Sequence, residues 1–215
     1  MKNWQRNCVG GGLIGICLLF FSEASGQKLL VSPELLGGHR SLAQQHFASY
    51  TFGIWEAQHF SLIDFEYQSQ QNNIFFIRNA VLYRLPKNVY LQAGIGLKNP
   101  GSFYSLLAQY RYQAKSTRIS VSSGVTWQEG SSWENSLSVE HYSSASRKWR
   151  AYMRMLLISN TREKEVLRGI AQFRLGIARQ EHHGGLALNI DRFSEGKQLY
   201  NIGIFYKINL IKHEN

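Results

Sequence analysis

The stretch Val89-Tyr90-Leu91-Gln92-Ala93-Gly94-Ile95-Gly96-Leu97-Lys98 sets Val89, Leu91, Ala93, Ile95 and Leu97 against Tyr90, Gln92, Gly94, Gly96 and Lys98 at every second position. A period of two belongs to an extended strand, whose successive side chains point to opposite faces. The same alternation recurs on both sides of it. Ile74 to Leu85 sets Phe75, Ile77, Val81, Tyr83 and Leu85 against Arg78, Ala80 and Arg84. Phe103 to Gln113 sets Tyr104, Leu106, Ala108, Tyr110 and Tyr112 against Ser105, Gln109 and Arg111. Thr117 to Gln128 and Gln198 to Ile211 read in the same way, with Arg118 and Lys207 on their polar faces. Weaker runs cover Ala43 to Trp55, Phe60 to Gln70, Ser132 to Tyr142, Lys148 to Ser159, Val166 to Arg179 and Gly185 to Phe193.

Short connections with turn chemistry join these runs, among them Leu85-Pro86-Lys87-Asn88, Lys98-Asn99-Pro100-Gly101, Gln128-Glu129-Gly130-Ser131 and Ser194-Glu195-Gly196-Lys197. Strands joined so tightly are antiparallel neighbours, so the chain predicts an all-β meander. Eleven runs are visible, with Pro33 placed ahead of the first clear one. A further strand around Gln27 to Val31 brings the number to twelve, and merging the weaker runs brings it to ten. Twelve is favoured, with both chain ends on the periplasmic side.

The amino terminus has a different pattern. Lys2 and Arg6 precede an almost wholly apolar or glycine stretch, Cys8 to Phe21, and Ala24-Ser25-Gly26 supplies small residues at a cleavage point. This is the layout of a cleaved secretory signal peptide over residues 1–26, leaving 27–215 as one domain. An apolar stretch of about 14 residues is short of the roughly 20 that a spanning helix needs. Both cysteines, Cys8 and Cys17, fall in the leader, so the mature chain has neither a disulfide nor a thiolate nucleophile. Removing Lys2, Arg6 and Glu23 takes 24 basic and 14 acidic residues to 22 and 13, a net charge of +9. Outside the cytoplasm that excess points to anionic lipid, lipopolysaccharide or small anions. No basic helix with interleaved aromatics points to nucleic acid.

Alternation does not by itself say which face looks inward. Three features turn the apolar face outward into a bilayer. The runs span about 10 to 13 residues, where soluble strands average roughly 5 or 6 and membrane strands need about 9 to 11. The polar face collects Arg78, Arg84, Lys98, Arg111, Arg118, Arg150, Arg154, Arg168, Arg174 and Lys207, while the apolar face carries charge only near run ends, at Arg179 and Arg192. Each Arg or Lys facing lipid at mid-membrane costs roughly 2 to 4 kcal/mol, so five misplaced ones would cost about 10 to 20 kcal/mol. Aromatics with a polar tip, Tyr83, Tyr104, Tyr112, Trp127, Trp133, Trp149, Tyr200 and Tyr206, sit near the ends of the apolar face, as girdles at two membrane interfaces would. In lipid every backbone polar group must be paired, so the sheet has to close into a barrel. The competing arrangement, a soluble secreted β-sandwich, would turn the same apolar faces onto each other.

With its leader, serial dyad strands and terminal Tyr200 to Leu210 strand, the mature chain resembles a small Gram-negative outer-membrane β-barrel protein. It departs from that pattern at its last residue, Asn215, where such barrels often finish on an aromatic. The resemblance implies a closed antiparallel up-and-down transmembrane β-barrel in the outer membrane. It also implies contact with outer-membrane lipid and lipopolysaccharide and insertion by the barrel-assembly machinery. It implies no activity.

Candidate sites follow from the faces. The ten inward cations meet Asp64, Glu66, Glu134, Glu140 and Asp191, which leaves five positive charges in excess. One reading is a narrow lumen favouring small anionic solutes. The other is a barrel filled by paired charges, with a structural or assembly role in the envelope. A third, from a different class, is a lipid ester hydrolase using His141 as base and Ser143 as nucleophile. The His-x-Ser spacing resembles the barrels that deacylate lipid A. Lys148 to Ser159 offers no acid to complete that site, and Glu140 points to the other face. Glu181-His182-His183 offers too few convergent ligands for a metal and is expected in a turn. Gly94-x-Gly96 precedes no helix, so it relieves crowding inside the barrel and binds no nucleotide. No cofactor is expected.

Overall fold

A computed structural model of the chain describes residues 27–99, 101–144, 148–163, 165–194 and 196–214. The expected signal peptide lies outside the described residues. The strands are β1 (Gln27–Gly38), β2 (Ser41–Phe52), β3 (Trp55–Glu66), β4 (Ile74–Arg84), β5 (Val89–Lys98), β6 (Gly101–Gln113), β7 (Thr117–Trp127), β8 (Ser131–Ser144), β9 (Arg150–Arg162), β10 (Glu165–Arg179), β11 (His182–Phe193), β12 (Gln198–Ile208) and β13 (Leu210–Glu214). From β1 to β12 each pairs antiparallel with its neighbours in chain order, and β1 also pairs antiparallel with both β12 and β13. The sheet therefore closes.

β13 continues β12. Glu34 faces Lys207 and Val31 faces Leu210 in one unbroken register, with the ladder interrupted only opposite Ser32 and Pro33. Proline has no N–H to donate, which accounts for the gap. Side chains mend it, because the Ser32 hydroxyl donates to Asn209 Oδ1 at 2.7 Å and the Asn209 N–H turns to the carbonyl of Glu181. Counted this way the barrel has twelve strands, as the sequence favours. Pro33 precedes β2, where the first clear run lies, and sits within β1 at the closing seam. Two corrections follow from register. The run expected from Phe60 begins at Trp55, and His182 and His183 belong to β11 rather than to a turn.

Of the two barrel ends, the terminal end holds Gln27, Glu214 and the connections β2–β3, β4–β5, β6–β7, β8–β9 and β10–β11. The loop end holds the others, of which the longest, residues 67–73, contains a single 3-10 turn at Gln70–Asn72.

The two faces divide as the alternation requires. Leu35, Leu91, Ile95, Leu186, Ile202 and Ile204 are more than half exposed on the outside. Glu134, Gln172, Arg174 and Asn201 are buried inside. An apolar exterior around a charged interior is stable only where lipid replaces water on the outside. The glycines of β5 face inward: a Cβ on Gly96 would meet the Phe103 ring at 2.6 Å and the Ile77 carbonyl at 2.1 Å. The relief of crowding expected there is a ring packed directly on backbone.

Candidate functional site

The interior is built from acids held in the wall by arginines. Arg78 places Nη2 2.8 Å and 2.7 Å from the two carboxylate oxygens of Glu134, and Thr126 and Asn160 donate to the same carboxylate at 2.9 Å and 3.3 Å. Glu34 lies between Arg154, at 3.1 Å, and Arg174, at 2.8 Å, and Asn189 Oδ1 accepts from Arg174. Toward the loop end, Arg40 reaches Asp64 and Glu66, and Arg168 lies 3.6 Å from Asp191. Toward the terminal end, Arg111 meets Glu56 at 2.6 Å, and Glu140 is shared by Lys207 at 3.1 Å and Arg118 at 3.7 Å. Paired charges of this kind offset part of their own desolvation, which an isolated buried charge cannot do.

Glu34, Glu56 and Arg40 are interior charges that the alternation missed. Pro33 obscures the period around Glu34, and Glu56 falls between two runs.

In most of these pairs the cation is the more exposed partner. The side chain of Arg78 is 12% exposed against 0% for Glu134, Arg111 25% against 9% for Glu56, and Arg118 44% against 14% for Glu140. Arg40 with Asp64, Arg154 with Glu34 and Arg168 with Asp191 follow the same order, whereas Arg174–Glu34 and Lys207–Glu140 run the other way and Arg40 and Glu66 are about equally exposed. Carboxylates thus lie against the wall, and guanidinium groups face the remaining space.

That space is uneven. Tyr152, Phe205, Leu36 and Ala178 pack together on one side, and Phe76, Phe103, Leu62 and Ile170 form a second cluster. Between them the wall of β7 to β9 carries small residues, and Ser120, Ser136, Ser138 and Leu156 remain half-buried where Ser105 and Ser122 are buried. At the terminal end a cavity of about 540 Å³ opens beside Lys115, Arg118, Tyr142, Arg150 and His183.

The other expected lumen cations are placed variously. Arg84 is exposed at the terminal end of β4. Arg150, also exposed, stacks 4.7 Å from the Tyr142 ring, and Lys98 is buried 4.9 Å from the Phe103 ring. Tyr104, Tyr112, Trp127, Trp133, Trp149, Tyr200 and Tyr206 are exposed outside, and Tyr83 lies half-buried against Trp55. Trp55, a further outward aromatic at the terminal end, was not among those expected.

The structure does not bring His141 and Ser143 together. Both project outward, but the His141 ring is engaged by the Thr117 hydroxyl at 2.8 Å, and no hydrogen bond joins His141 to Ser143 among the described residues. Their partners across β9 are Met153 and Ala151, neither of them acidic. His182 contacts the Tyr206 hydroxyl outside while His183 contacts the Tyr142 hydroxyl inside, so the two imidazoles diverge as adjacent strand residues must. No group of three or more potential metal ligands occurs among the described residues.

No protein-family model matches the sequence, and no curated protein matches it. Solved structures do match the fold. The NanC porin superposes with a TM-score of 0.50 at 10% identity, covering 87% of this chain and 100% of the porin. An outer-membrane channel from Pseudomonas putida F1 gives a TM-score of 0.43 at 10% identity over 88% of this chain and 97% of that one. Closure into twelve antiparallel strands, an apolar exterior and the likeness to the NanC porin together make this chain a small β-barrel of the outer-membrane type.

Proposed function

We propose that the protein is an integral outer-membrane barrel providing a narrow passage that favours small anions. The observation that carries this reading is the order of exposure within the interior ion pairs, where in six of the nine among the described residues arginine is the more exposed partner and the acid the more buried one. A solute entering such a lumen meets guanidinium N–H groups first. The carboxylates behind them lower the net field without presenting a repulsive surface. Arg118, Arg150 and Lys115 around the terminal-end cavity extend the same bias to one mouth. The half-buried serines of β7 and β8 supply neutral hydroxyls between the clusters. The outward aromatics mark two interfaces, with the termini on the periplasmic side after removal of a signal peptide and insertion by the assembly machinery.

One observation favours a second reading. Gln172 and Arg174 are buried at mid-strand in β10 and Tyr152 is buried nearer the terminal end, which suits a filled structural component of the envelope. Planar-bilayer recording of the detergent-folded mature chain separates the two. A salt gradient should give single-channel currents with a reversal potential on the anion side. A silent bilayer at native-like folding, or cation preference, would overturn the anion passage.

A further inference from the structure

On the outer face, where the remainder of the belt is mainly aliphatic, β2 to β4 carry a polar cluster at mid-strand. His46 is the sixth of twelve residues in β2, His59 and Ser61 are the fifth and seventh of twelve in β3, and Asn79 is the sixth of eleven in β4. Register and parity put all four outside, on the same face as exposed Leu42, Phe65 and Val81. The imidazoles of His46 and His59 stack with centroids 4.7 Å apart. Ser61 Oγ lies 2.8 Å from His46 Nδ1, and His59 Nδ1 lies 2.7 Å from Asn79 Oδ1.

The cluster satisfies itself only in part. Asn79 Oδ1 accepts from His59, so the Asn79 amide NH₂ has no acceptor among the described residues, and His59 Nε2 is left as an unused acceptor. His46 spends Nδ1 on Ser61 and keeps Nε2. Donors and acceptors of one small patch therefore remain open at the depth where lipid tails offer neither. Hydrolysis by Ser61 does not suit the position, since Ser61 is buried and ester groups and water lie at the membrane interface rather than at its centre.

We propose that this face docks a second copy of the chain. A patch holding both an open amide donor and an open imidazole acceptor is self-complementary. A twofold axis through it would set Asn79 of one copy against His59 of the other, and the reverse. Ala48 and Ala57 beside the cluster are small enough for two barrel walls to approach. The docking rests on the membrane placement of the belt but not on conduction, so it stands or falls separately from anion passage.

The test uses single thiols, since the sequence from residue 27 onward has no cysteine. Ala57→Cys, beside the cluster with Asn79 and His59 kept, and Leu186→Cys, four strands away round the wall, are folded into phospholipid vesicles and oxidised with copper phenanthroline. Heat-modifiable migration on gels verifies that both fold. Ala57→Cys should give a covalent dimer and Leu186→Cys should not. Independently, donor- and acceptor-labelled wild-type barrels should exchange energy in vesicles, and Asn79→Leu with His59→Leu should weaken that association at least tenfold. Equal crosslinking at both sites, or monomers at every lipid-to-protein ratio because lipid alone covers the face, would overturn the proposal.

Discussion

Glu34 and Glu140 each sit between two cations inside the barrel, yet their surroundings differ. Glu34 is clamped by Arg154 and Arg174 with side chains 10% and 1% exposed, and Asn189 and Gln172 hold those guanidinium groups in turn. Glu140 is shared by Lys207 and the half-open Arg118, with the Tyr142 hydroxyl donating at 2.8 Å. The same chemistry is a staple at one depth and a lining at another, because burial sets how much an unpaired charge costs. The sharpest break is Glu34→Ala, which strands two buried arginines and should cost about 3–5 kcal/mol. Urea unfolding in vesicles measures it, and Glu140→Ala, which strands one buried cation, Lys207, beside the solvent-screened Arg118, should lose less. Equal losses would remove the distinction.

The contrast extends across the wall. Leu186→Arg puts a guanidinium on the outer face, where Leu186 is 63% exposed, and should destabilise the vesicle-folded barrel by about 2–4 kcal/mol. An inward arginine at comparable depth, such as Arg154, is tolerated because Glu34 meets it. A neutral outcome for Leu186→Arg in the same assay would mean that the outer face does not contact lipid.

A smaller effect sharpens what the interior pairs contribute. Replacing both partners, Arg78→Met with Glu134→Gln, removes two buried charges together, which by itself is often close to neutral. The amide oxygen that replaces the carboxylate still accepts from Thr126 and Asn160. The double variant should therefore unfold slightly earlier than wild type, by about 1 kcal/mol, and later than Arg78→Ala, which leaves the Glu134 charge without its guanidinium partner.

Alternation made the outward face and most of the inward cations legible, because a bilayer on one side and water or ion pairs on the other enforce a strict period of two. The reading weakened wherever that period carried something else. In β1, Pro33 interrupts a strand that its neighbour across the closing seam completes through the Ser32–Asn209 contact, 177 residues apart in the chain, so Glu34 was lost with it. In β3, Phe60 and Leu62 point inward into an aromatic cluster while His59 and Ser61 point outward, so hydropathy inverts mid-strand and hides Glu56. Which acid each arginine meets was not legible at all, since Arg78 and Glu134 approach across the lumen from β4 and β8. The His-x-Ser spacing singled out at His141 recurs at His59, where Asn79 completes a contact that only strand register reveals.

The smallest stability effect and the clearest functional one belong to Arg118. Its side chain is 44% exposed at the terminal-end cavity, so solvent screens its 3.7 Å pair with Glu140, and a pair of that kind contributes about 0–1 kcal/mol. Arg118→Ala should leave Glu140 with Lys207 and the Tyr142 hydroxyl, and the unfolding midpoint close to wild type. The cation that an entering anion meets at this mouth would be gone, so the anion-to-cation permeability ratio read from the reversal potential should fall. Glu140→Gln should move that ratio the other way, because Arg118 at the cavity, and the buried Lys207 behind it, would then be uncompensated. An unchanged ratio in both variants would place selectivity deeper, at Arg78 and Arg168, where the guanidinium groups are only marginally accessible and any passage is narrowest in charge.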